Sequence, residues 1–292
     1  MKYFSASIAL LRTFCAVSGG SHAQDEFPVL EGPYLGQTLP GSTAEIFAPG
    51  LVNTEIFDVK EGMFVEDMNT FYFVKGDKDG PARQLIVLEY KGNQWQQSVV
   101  IEGETEPSFS PDGNTLYFKN KYLERTSNGW SELKSLGAPL EDVLIMRPSV
   151  SSNSTIYFDT FSPELDIPLR YSRRIDGKYE EPKMLGEQFA VGKYNAHPYV
   201  APDESYIIWD SRRDGGYGTS DLYISFRAPS GTWGPAINLG DKINTSDAEN
   251  YPTVSPDGKY LFFDKRTGSG PDRKVAIYWV DAGFIEDLRP KE

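Results

Sequence analysis

The sequence predicts an all-β protein, a β-propeller of four-stranded antiparallel blades, with five blades and six as the alternative. First, a hairpin motif recurs: an alternating apolar segment, a turn such as the Ser-Pro-Asp-Gly of residues 255–258, and a second apolar and aromatic segment. Second, its copies return after 41, 50 and 54 residues, counted between Pro107, Pro148, Pro198 and Pro252. These intervals are close to the ~40–50-residue periods of propeller blades. Third, the chain holds 17 Tyr and 17 Phe, a composition that favours many short strands.

The N-terminus predicts export. Residues 1–23 combine a short basic start, a mostly apolar run and a small-residue cleavage pattern that ends at Ala23. A buried N-terminal helix is the alternative. The run is interrupted by Arg12 and is too short to span a bilayer. Cys15, the only cysteine, lies inside this segment, so we expect no disulfide in the mature protein. A lipoprotein signal needs small residues before the cysteine, but Thr13 and Phe14 precede Cys15, so we expect no lipidation. We predict a periplasmic or extracellular location without membrane insertion.

The charge of the chain excludes some partners. The net charge is −13, and cleavage after Ala23 removes Lys2 and Arg12 but no acid, which lowers it to −15. Such a protein is repelled by phosphate backbones and by anionic membrane surfaces. We therefore expect a soluble monomer that does not bind nucleic acid.

The repeats define the domain limits. Residues 24–43 are predicted to be an extended lead-in and residues 44–292 a single propeller domain. The predicted blades are 62–103, 106–145, 147–193, 197–247, and 251–285 together with 44–54.

Each copy combines two hairpins. The first surrounds the Ser-Pro-Asp-Gly turn, in which Asp112 and Asp257 are read as turn formers. The second surrounds a Gly-aromatic turn, such as that of residues 231–233, and residues 221–225 form the clearest third strand. Two copies depart from the turn pattern, at residues 151–154 and at Glu204. We expect longer or differently shaped turns there.

The last copy lacks its second hairpin. Residues 275–280 read as its third strand, but no Gly-aromatic turn follows. Residues 49–54 echo the end of the preceding copy, residues 235–245. We predict that the N-terminal strand completes the last blade, which closes the ring and protects its open edges.

The hairpins carry a family resemblance. Residues 195–223, with Asn195-Ala196-His197-Pro198 and Asp221-Leu222-Tyr223, resemble the TolB-like, WD40-like β-propeller repeats known as PD40 repeats. The resemblance spans roughly residues 44–285 and implies a propeller of the kind found in bacterial envelope proteins. This repeat serves many roles, so it does not specify a function.

The candidate site is the loop before the first strand of each blade, which opens near the central channel. The residues directly before the repeat prolines mix an acid, a base, an imidazole and a phenol, as a polar binding site would. The alternative is a wet channel without a ligand. The candidate binding residues are Glu106, Arg147, Asn195, His197, Arg213, Asn250 and Tyr251.

A basic rim is also expected. Lys119, Lys121, Arg213 and Arg266 lie in loops predicted on the same face, which favours a ligand with an anionic group. Asp221 is expected to anchor a strand end, against Arg212 or Arg213.

We assign no catalytic residue, metal or cofactor. His197 is the only histidine left after residue 23, which argues against zinc. Ca²⁺ is compatible with the many acids but no motif supports it. Glu106 and Glu249 are the candidate carboxylate pair if the protein hydrolyses glycosides.

The sequence therefore favours a binding module over an enzyme. We predict that it binds an envelope protein, a peptide or a glycan at the channel mouth. The alternative is a carbohydrate-active enzyme, a glycoside hydrolase or lyase, that uses the channel carboxylates.

Overall fold

The computed structural model describes residues 32–54, 57–66, 68–77, 83–164 and 168–291. The predicted signal peptide, residues 1–23, lies outside these ranges. The described chain contains five larger antiparallel sheets, one two-stranded sheet and a C-terminal helix α1 (Phe284–Leu288), and a short N-terminal strand β1 (Glu45–Ile46) belongs to one of the larger sheets.

The five sheets are the blades of the predicted propeller. Blade 1 consists of β2 (Phe57–Phe64), β3 (Thr70–Asp77), β4 (Arg83–Lys91) and β5 (Gln94–Glu102). Blade 2 consists of β6 (Pro107–Phe109), β7 (Thr115–Phe118), β8 (Lys121–Thr126) and β10 (Lys134–Ser135), with β9 (Gly129–Trp130) on β8. Blade 3 consists of β11 (Ile145–Val150), β12 (Ile156–Thr160), β13 (Arg170–Ser172) and β16 (Lys183–Met184), beside the small hairpin β14 (Arg174–Ile175) and β15 (Lys178–Tyr179). Blade 4 consists of β17 (Lys193–Val200), β18 (Tyr206–Arg212), β19 (Asp221–Phe226) and β20 (Ile237–Asn238). Blade 5 consists of β21 (Ala248–Val254), β22 (Tyr260–Thr267), β23 (Lys274–Asp281) and β1.

Four short 3-10 segments join these strands. They are Tyr34–Gly36, Leu140–Asp142, Glu187–Phe189 and Gly270–Asp272. In the described part of the chain, no helix is long and apolar enough to cross a membrane.

The N-terminal strand closes the ring, as predicted. Glu45 pairs with Trp279 across β1 and β23. Behind it, the side chain of Asn53 donates to the carbonyl of Ile277 (3.0 Å) and accepts from its N–H (2.9 Å). In blade 4, the side chain of Asn244 makes the same two hydrogen bonds with the backbone of Leu222, and we call this pair of bonds the clamp. The sequence echo between residues 49–54 and 235–245 therefore reflects one structural device used in two blades.

The five turns that connect the first two strands of the blades share one geometry. In each, the fourth residue donates its N–H to the carbonyl of the first and has a positive φ. The predicted difference at two turns is wrong: Ser154 (φ 59°) and Glu204 (φ 61°) take the conformation that Gly113 (φ 67°) and Gly258 (φ 74°) take elsewhere. An L-residue can adopt this region at a cost of roughly 1–2 kcal/mol. We call the end of the propeller that carries these turns the turn face, and the opposite end the start face.

The core is divided among the blade interfaces. Five apolar clusters each join two neighbouring blades. Successive side chains of a strand point to opposite faces, so Phe262 packs towards blade 1 while Phe263 packs towards blade 4. This explains why the first part of a second strand, such as residues 260–263, is apolar at successive positions. The lead-in also joins the core, because Tyr34 and Leu35 are buried against blades 1 and 5.

Candidate binding channel

Five equivalent residues line the centre of the propeller, one from each blade. Each lies four residues before the turn. Four of them occupy a bulge of the first strand, Glu106 directly precedes the first strand of blade 2, and four of the five have φ between 49° and 64°. A positive φ in a non-glycine residue is uncommon and recurs at functional or tightly constrained positions. The residues are Glu61, Glu106, Arg147, His197 and Tyr251.

The sequence analysis missed Glu61. It searched for the residue before a repeat proline, and blade 1 has Gly62 in place of that proline. The distance to the turn identifies the position instead, since Val65 begins the first turn four residues after Glu61.

The channel residues are held by carboxylates of neighbouring blades. Three blades end the aromatic part of the second strand with an aspartate, which accepts the backbone N–H of the channel residue in the next blade. These amides lie at bulges and have no partner in the strand ladder, so the carboxylates satisfy them. The pairs are Asp159 with His197 (3.0 Å), Asp210 with Tyr251 (3.3 Å) and Asp264 with Glu61 (2.9 Å).

In the other two blades, no described aspartate of the second strand accepts the N–H of the channel residue in the next blade. Blade 1 has no carboxylate at this position, and Glu61 itself accepts the N–H of Glu106 (2.8 Å). Blade 2 has Lys119 there, and the N–H of Arg147 bonds within its own blade to Asp159 (2.8 Å). Among the described residues, blades 2 and 3 are thus the one neighbouring pair in which no carboxylate of the first blade accepts the N–H of the channel residue in the second.

The side chains of the ring contact one another across the channel. The imidazole of His197 stacks on the ring of Tyr251, with centroids 3.7 Å apart, and its Nδ1 lies 2.7 Å from Oδ1 of Asp210. The hydroxyl of Tyr251 donates to Oε1 of Glu106 (3.0 Å). Lys60 lies over the Tyr251 ring and pairs with Glu61. The structure therefore joins Glu106 and His197 through their contacts with Tyr251.

Arg147 crosses the channel towards the turn face. Its Nη2 donates to Oγ1 of Thr253 in blade 5 (2.8 Å), and its guanidinium lies 5.4 Å from the centroid of the Tyr251 ring. Arg147 keeps 3% of its surface exposed and His197 none. The sequence analysis predicts an open channel mouth, but the buried side chains of Arg147 and His197 close the channel at their level. We call the side chains of the five channel residues the plug.

Burial and neighbouring charges shift the acid–base behaviour of the plug. Burial raises the pKa of Glu106 to about 7, and the charge of Glu61 adds to the rise. Burial lowers the pKa of His197, but Asp210, Glu106 and Asp159 outweigh it and raise the pKa to about 9. Near neutral pH, His197 is therefore charged while Glu106 is partly protonated.

Several buried polar atoms of the channel have no hydrogen-bond partner among the described residues. Native structures leave few such atoms, so each one calls for an explanation. They are Oε2 of Glu106, Nδ2 of Asn195, Nε2 of His197, and Nε and Nη1 of Arg147.

Cavities lie on both sides of the plug. The turn-face cavity has a volume of about 220 Å³, and its walls carry Phe64, Phe109, Val150 and Val254, with Arg147 and Glu66 as charged groups. The start-face cavity, of about 130 Å³, is polar and is lined by residues that include Lys60, Arg83, Asp264, Arg266 and Tyr251. Channel residues thus reach both faces.

The remaining predicted binding residues have structural roles. Asn195 accepts from Ser211 (2.8 Å), and Asn250 donates to Asp210 (2.8 Å). Arg213 belongs to another cluster, where it donates to the carbonyl of Gln188 (2.8 Å) and lies over the rings of Trp209 and Tyr223.

The predicted basic rim is dispersed. Arg266 lines the start-face cavity, but Lys121 pairs with Glu104 on the surface (3.4 Å). Asp221 begins β19, and its carboxylate accepts from the N–H groups of Tyr217 (2.7 Å) and Gly218 (2.9 Å) and from the side-chain amide of Asn238 (2.9 Å), whereas the predicted partners were Arg212 or Arg213.

The candidate carboxylate pair is also separated. Glu249 is fully buried and accepts from the hydroxyl of Thr245 (2.6 Å) in the connection between blades 4 and 5, whereas Glu106 contacts Glu61 and Tyr251. Within the described ranges, no group of three or more His, Cys, Asp or Glu side chains is arranged to hold a metal ion.

Known structures share this fold. The catalytic domain of the GH62 α-L-arabinofuranosidase from Coprinopsis cinerea matches 85% of this chain and 99% of its own, with 10% identity and a TM-score of 0.55. The α-L-arabinofuranosidase from Podospora anserina, solved with cellotriose, matches 83% and 98%, with 9% identity and a TM-score of 0.53. TolB from Acinetobacter baumannii matches 79% of this chain at 14% identity and a TM-score of 0.48. This chain spans 59% of the TolB chain.

These similarities establish a propeller and nothing finer, because a fold at such low identity hosts many functions. No protein-family model matches the chain, and no curated protein does.

Proposed function

We propose that the chain is an exported, monomeric binding module that takes a protein, peptide or glycan of the cell envelope at the turn-face end of its channel. The observation that carries this proposal is the turn-face cavity with Arg147 at its base. A mostly apolar cavity with a few convergent polar groups is the usual form of a binding site. The resemblance to PD40 repeats of envelope proteins, together with the export signal read in residues 1–23, supports the location.

Site-specific photo-crosslinking in the producing cell tests the proposal. A photoreactive phenylalanine at Glu66 or Pro256, two exposed positions on the wall of the turn-face cavity, is expected to yield a defined adduct. The matched control is Ile175, an apolar residue that is 52% exposed on the outer hairpin of blade 3. Adducts of equal yield at all three positions, or none at Glu66 and Pro256, would contradict binding at the turn face.

An enzymatic role is the second candidate, and Glu106 is the observation in its favour. A carboxyl with a pKa of about 7 suits a general acid. A glycosidase needs a second carboxylate across the substrate. Glu61, the nearest described acid, instead accepts the N–H of Glu106 with its own Oε2, and Glu106 keeps only 6% of its surface exposed. We therefore favour binding. Hydrolysis of arabino-oligosaccharides that disappears in Glu106→Gln would reverse this preference.

A further inference from the structure

The turn-face cavity has an amphipathic design. Its walls come from the first strands and turns of all five blades and are largely apolar, with Phe64, Phe109, Val150, Val200 and Val254 among them. Among the described residues of its wall, the charged ones are Glu66 at the exposed rim and Arg147 at the base. A ligand that fills this cavity must therefore place an apolar body between the strands and its polar end deep inside.

Arg147 is a buried cation without a matching anion. In the described part of the chain, no carboxylate lies within 4.0 Å of its guanidinium as an ion pair, and two of its three nitrogens, Nε and Nη1, have no hydrogen-bond partner. A buried charge is costly unless it is paired and hydrogen-bonded. The bond from Nη2 to Thr253 and the contact with Tyr251 hold the guanidinium in place, so its free donors are fixed in orientation.

The ligand group that fits these donors is a single carboxylate. Arginine nitrogens bond strongly to carboxylates, and one guanidinium neutralises one negative charge. A doubly charged phosphate would bring a second negative charge that one guanidinium does not neutralise, and an uncompensated charge is costly in a buried site. A monoanion therefore matches Arg147 better than a phosphate does.

The volume of the cavity indicates how much of the ligand enters. About 220 Å³ is less than the roughly 300–1,000 Å³ of pockets that enclose a whole small ligand. The end of a longer molecule fits better than a complete one.

We propose that the turn-face cavity binds the C-terminal residue of a peptide or protein, with an apolar side chain between the blades and the terminal carboxylate on Nε and Nη1 of Arg147. This inference rests on the proposed binding function and names its ligand class. The same chemistry, a carboxylate on an apolar body, occurs in a fatty acid. We commit to the peptide because the wall also includes Ser108, Ser110 and Ser149, whose hydroxyl groups can bond a peptide amide but not an alkyl chain.

Paired probes test the carboxylate directly. The peptide acetyl-Gly-Gly-Leu with a free carboxylate is titrated into the protein that begins at residue 24, beside the same peptide as its C-terminal amide and beside decanoate. We expect the acid to bind about 10-fold or more tightly than the amide, because the amide loses a charge-assisted bond. The Nε–H signal of Arg147 in the ¹⁵N NMR spectrum should shift with the acid alone.

Matched variants complete the test. Arg147→Gln should abolish the preference for the acid, whereas Arg213→Gln, which removes an arginine from a different cluster, should keep it. Equal affinity for acid and amide, or an unchanged preference in Arg147→Gln, would overturn the inference, as would a failure of both peptides to bind. Tighter binding of decanoate than of the peptide would overturn the choice of a C-terminus. The acid–amide comparison needs no variant, so it stands even if Arg147→Gln fails to fold. If neither peptide binds but cross-links still form at Pro256, the proposed ligand class is refuted and the proposed binding function is retained.

Discussion

Replacement of Glu106 by glutamine should make the stability of the protein less dependent on pH. The folded pKa of Glu106, about 7, lies above its ordinary value of 4.5 because the carboxyl is buried and lies near Glu61. The folded state therefore binds this proton more tightly than the unfolded state. The stability that this tighter proton binding contributes is fully present below pH 4.5 and is lost as the pH rises through about 7. Glutamine keeps an acceptor for the hydroxyl of Tyr251 but never ionises.

The size of the effect follows from the two pKa values. A rise from 4.5 to about 7 corresponds to about 3 kcal/mol, at about 1.4 kcal/mol for each pKa unit. Between pH 5 and pH 8 the free energy of unfolding should fall by up to about 3 kcal/mol more in the wild type than in Glu106→Gln. Glu249, whose pKa burial also raises to about 7, titrates in both proteins and cancels in the comparison. The two proteins should have similar stability at pH 5, and the variant should be the more stable at pH 8.

Urea unfolding followed by tryptophan fluorescence at pH 5, 6, 7 and 8 measures this difference. The control is Glu181→Gln, which removes the same charge from an exposed position and should leave the pH dependence of the wild type unchanged. Parallel stability curves for the wild type and Glu106→Gln would show that Glu106 does not titrate near pH 7, and the electrostatic account of the plug would then be wrong.

Two further predictions concern the repeat and its closure. Ser154→Gly should stabilise the protein by about 1 kcal/mol in urea unfolding, because Ser154 holds a φ of 59° that glycine adopts without cost, and Gly258→Ser should destabilise it by a similar amount. Opposite signs would refute the shared turn geometry. Asn53→Ala should cost about 1–3 kcal/mol, because it removes the bonds that tie the N-terminal strand to Ile277. Asn244→Ala is its matched variant in blade 4, and a loss for Asn53→Ala below about 0.5 kcal/mol would show that the clamp does not hold the ring closed.

The repeat architecture could be predicted from the sequence because its signals are local. A turn motif and two apolar strands lie within about 20 residues of each other, and each copy reinforces the others. Even the closure by the N-terminal strand was visible, since the clamp residues Asn53 and Asn244 belong to similar segments. Four of the five first strands nevertheless begin earlier than the predicted blade limits, for example at Phe57 and Lys193, because a bulge at the channel residue of these blades breaks the alternation before it.

The channel could be predicted only in part, because its chemistry depends on contacts between blades. Four of the five ring residues share a following proline, whereas Glu61 lacks it and was missed. The supporting carboxylates carry a weak signal, an aspartate after an aromatic residue, and their partners lie one blade away, as with Asp159 and His197. Burial was the largest difference: side-chain identity indicates a polar channel, but only the packing shows that Arg147 and His197 close it.

The carboxylates around His197 lead to a last prediction, which concerns its pKa. Asp210 contacts its Nδ1 and contributes the largest of the effects that raise its pKa to about 9, so Asp210→Asn should lower that pKa by about 1 unit or more. His197 is the only histidine after residue 23, so the imidazole NMR signals of the protein from residue 24 need no assignment. Asp112→Asn, at a distant surface turn, is the control and should leave the titration unchanged. A wild-type pKa near 6.5, or an unchanged pKa in Asp210→Asn, would refute the argument.

If the prediction holds, His197 is charged at neutral pH and its Nε2–H is, like the free nitrogens of Arg147, a cationic donor inside the plug. The carboxylates between the blades would then have two roles, since they hold the bulged backbone and also keep this donor charged.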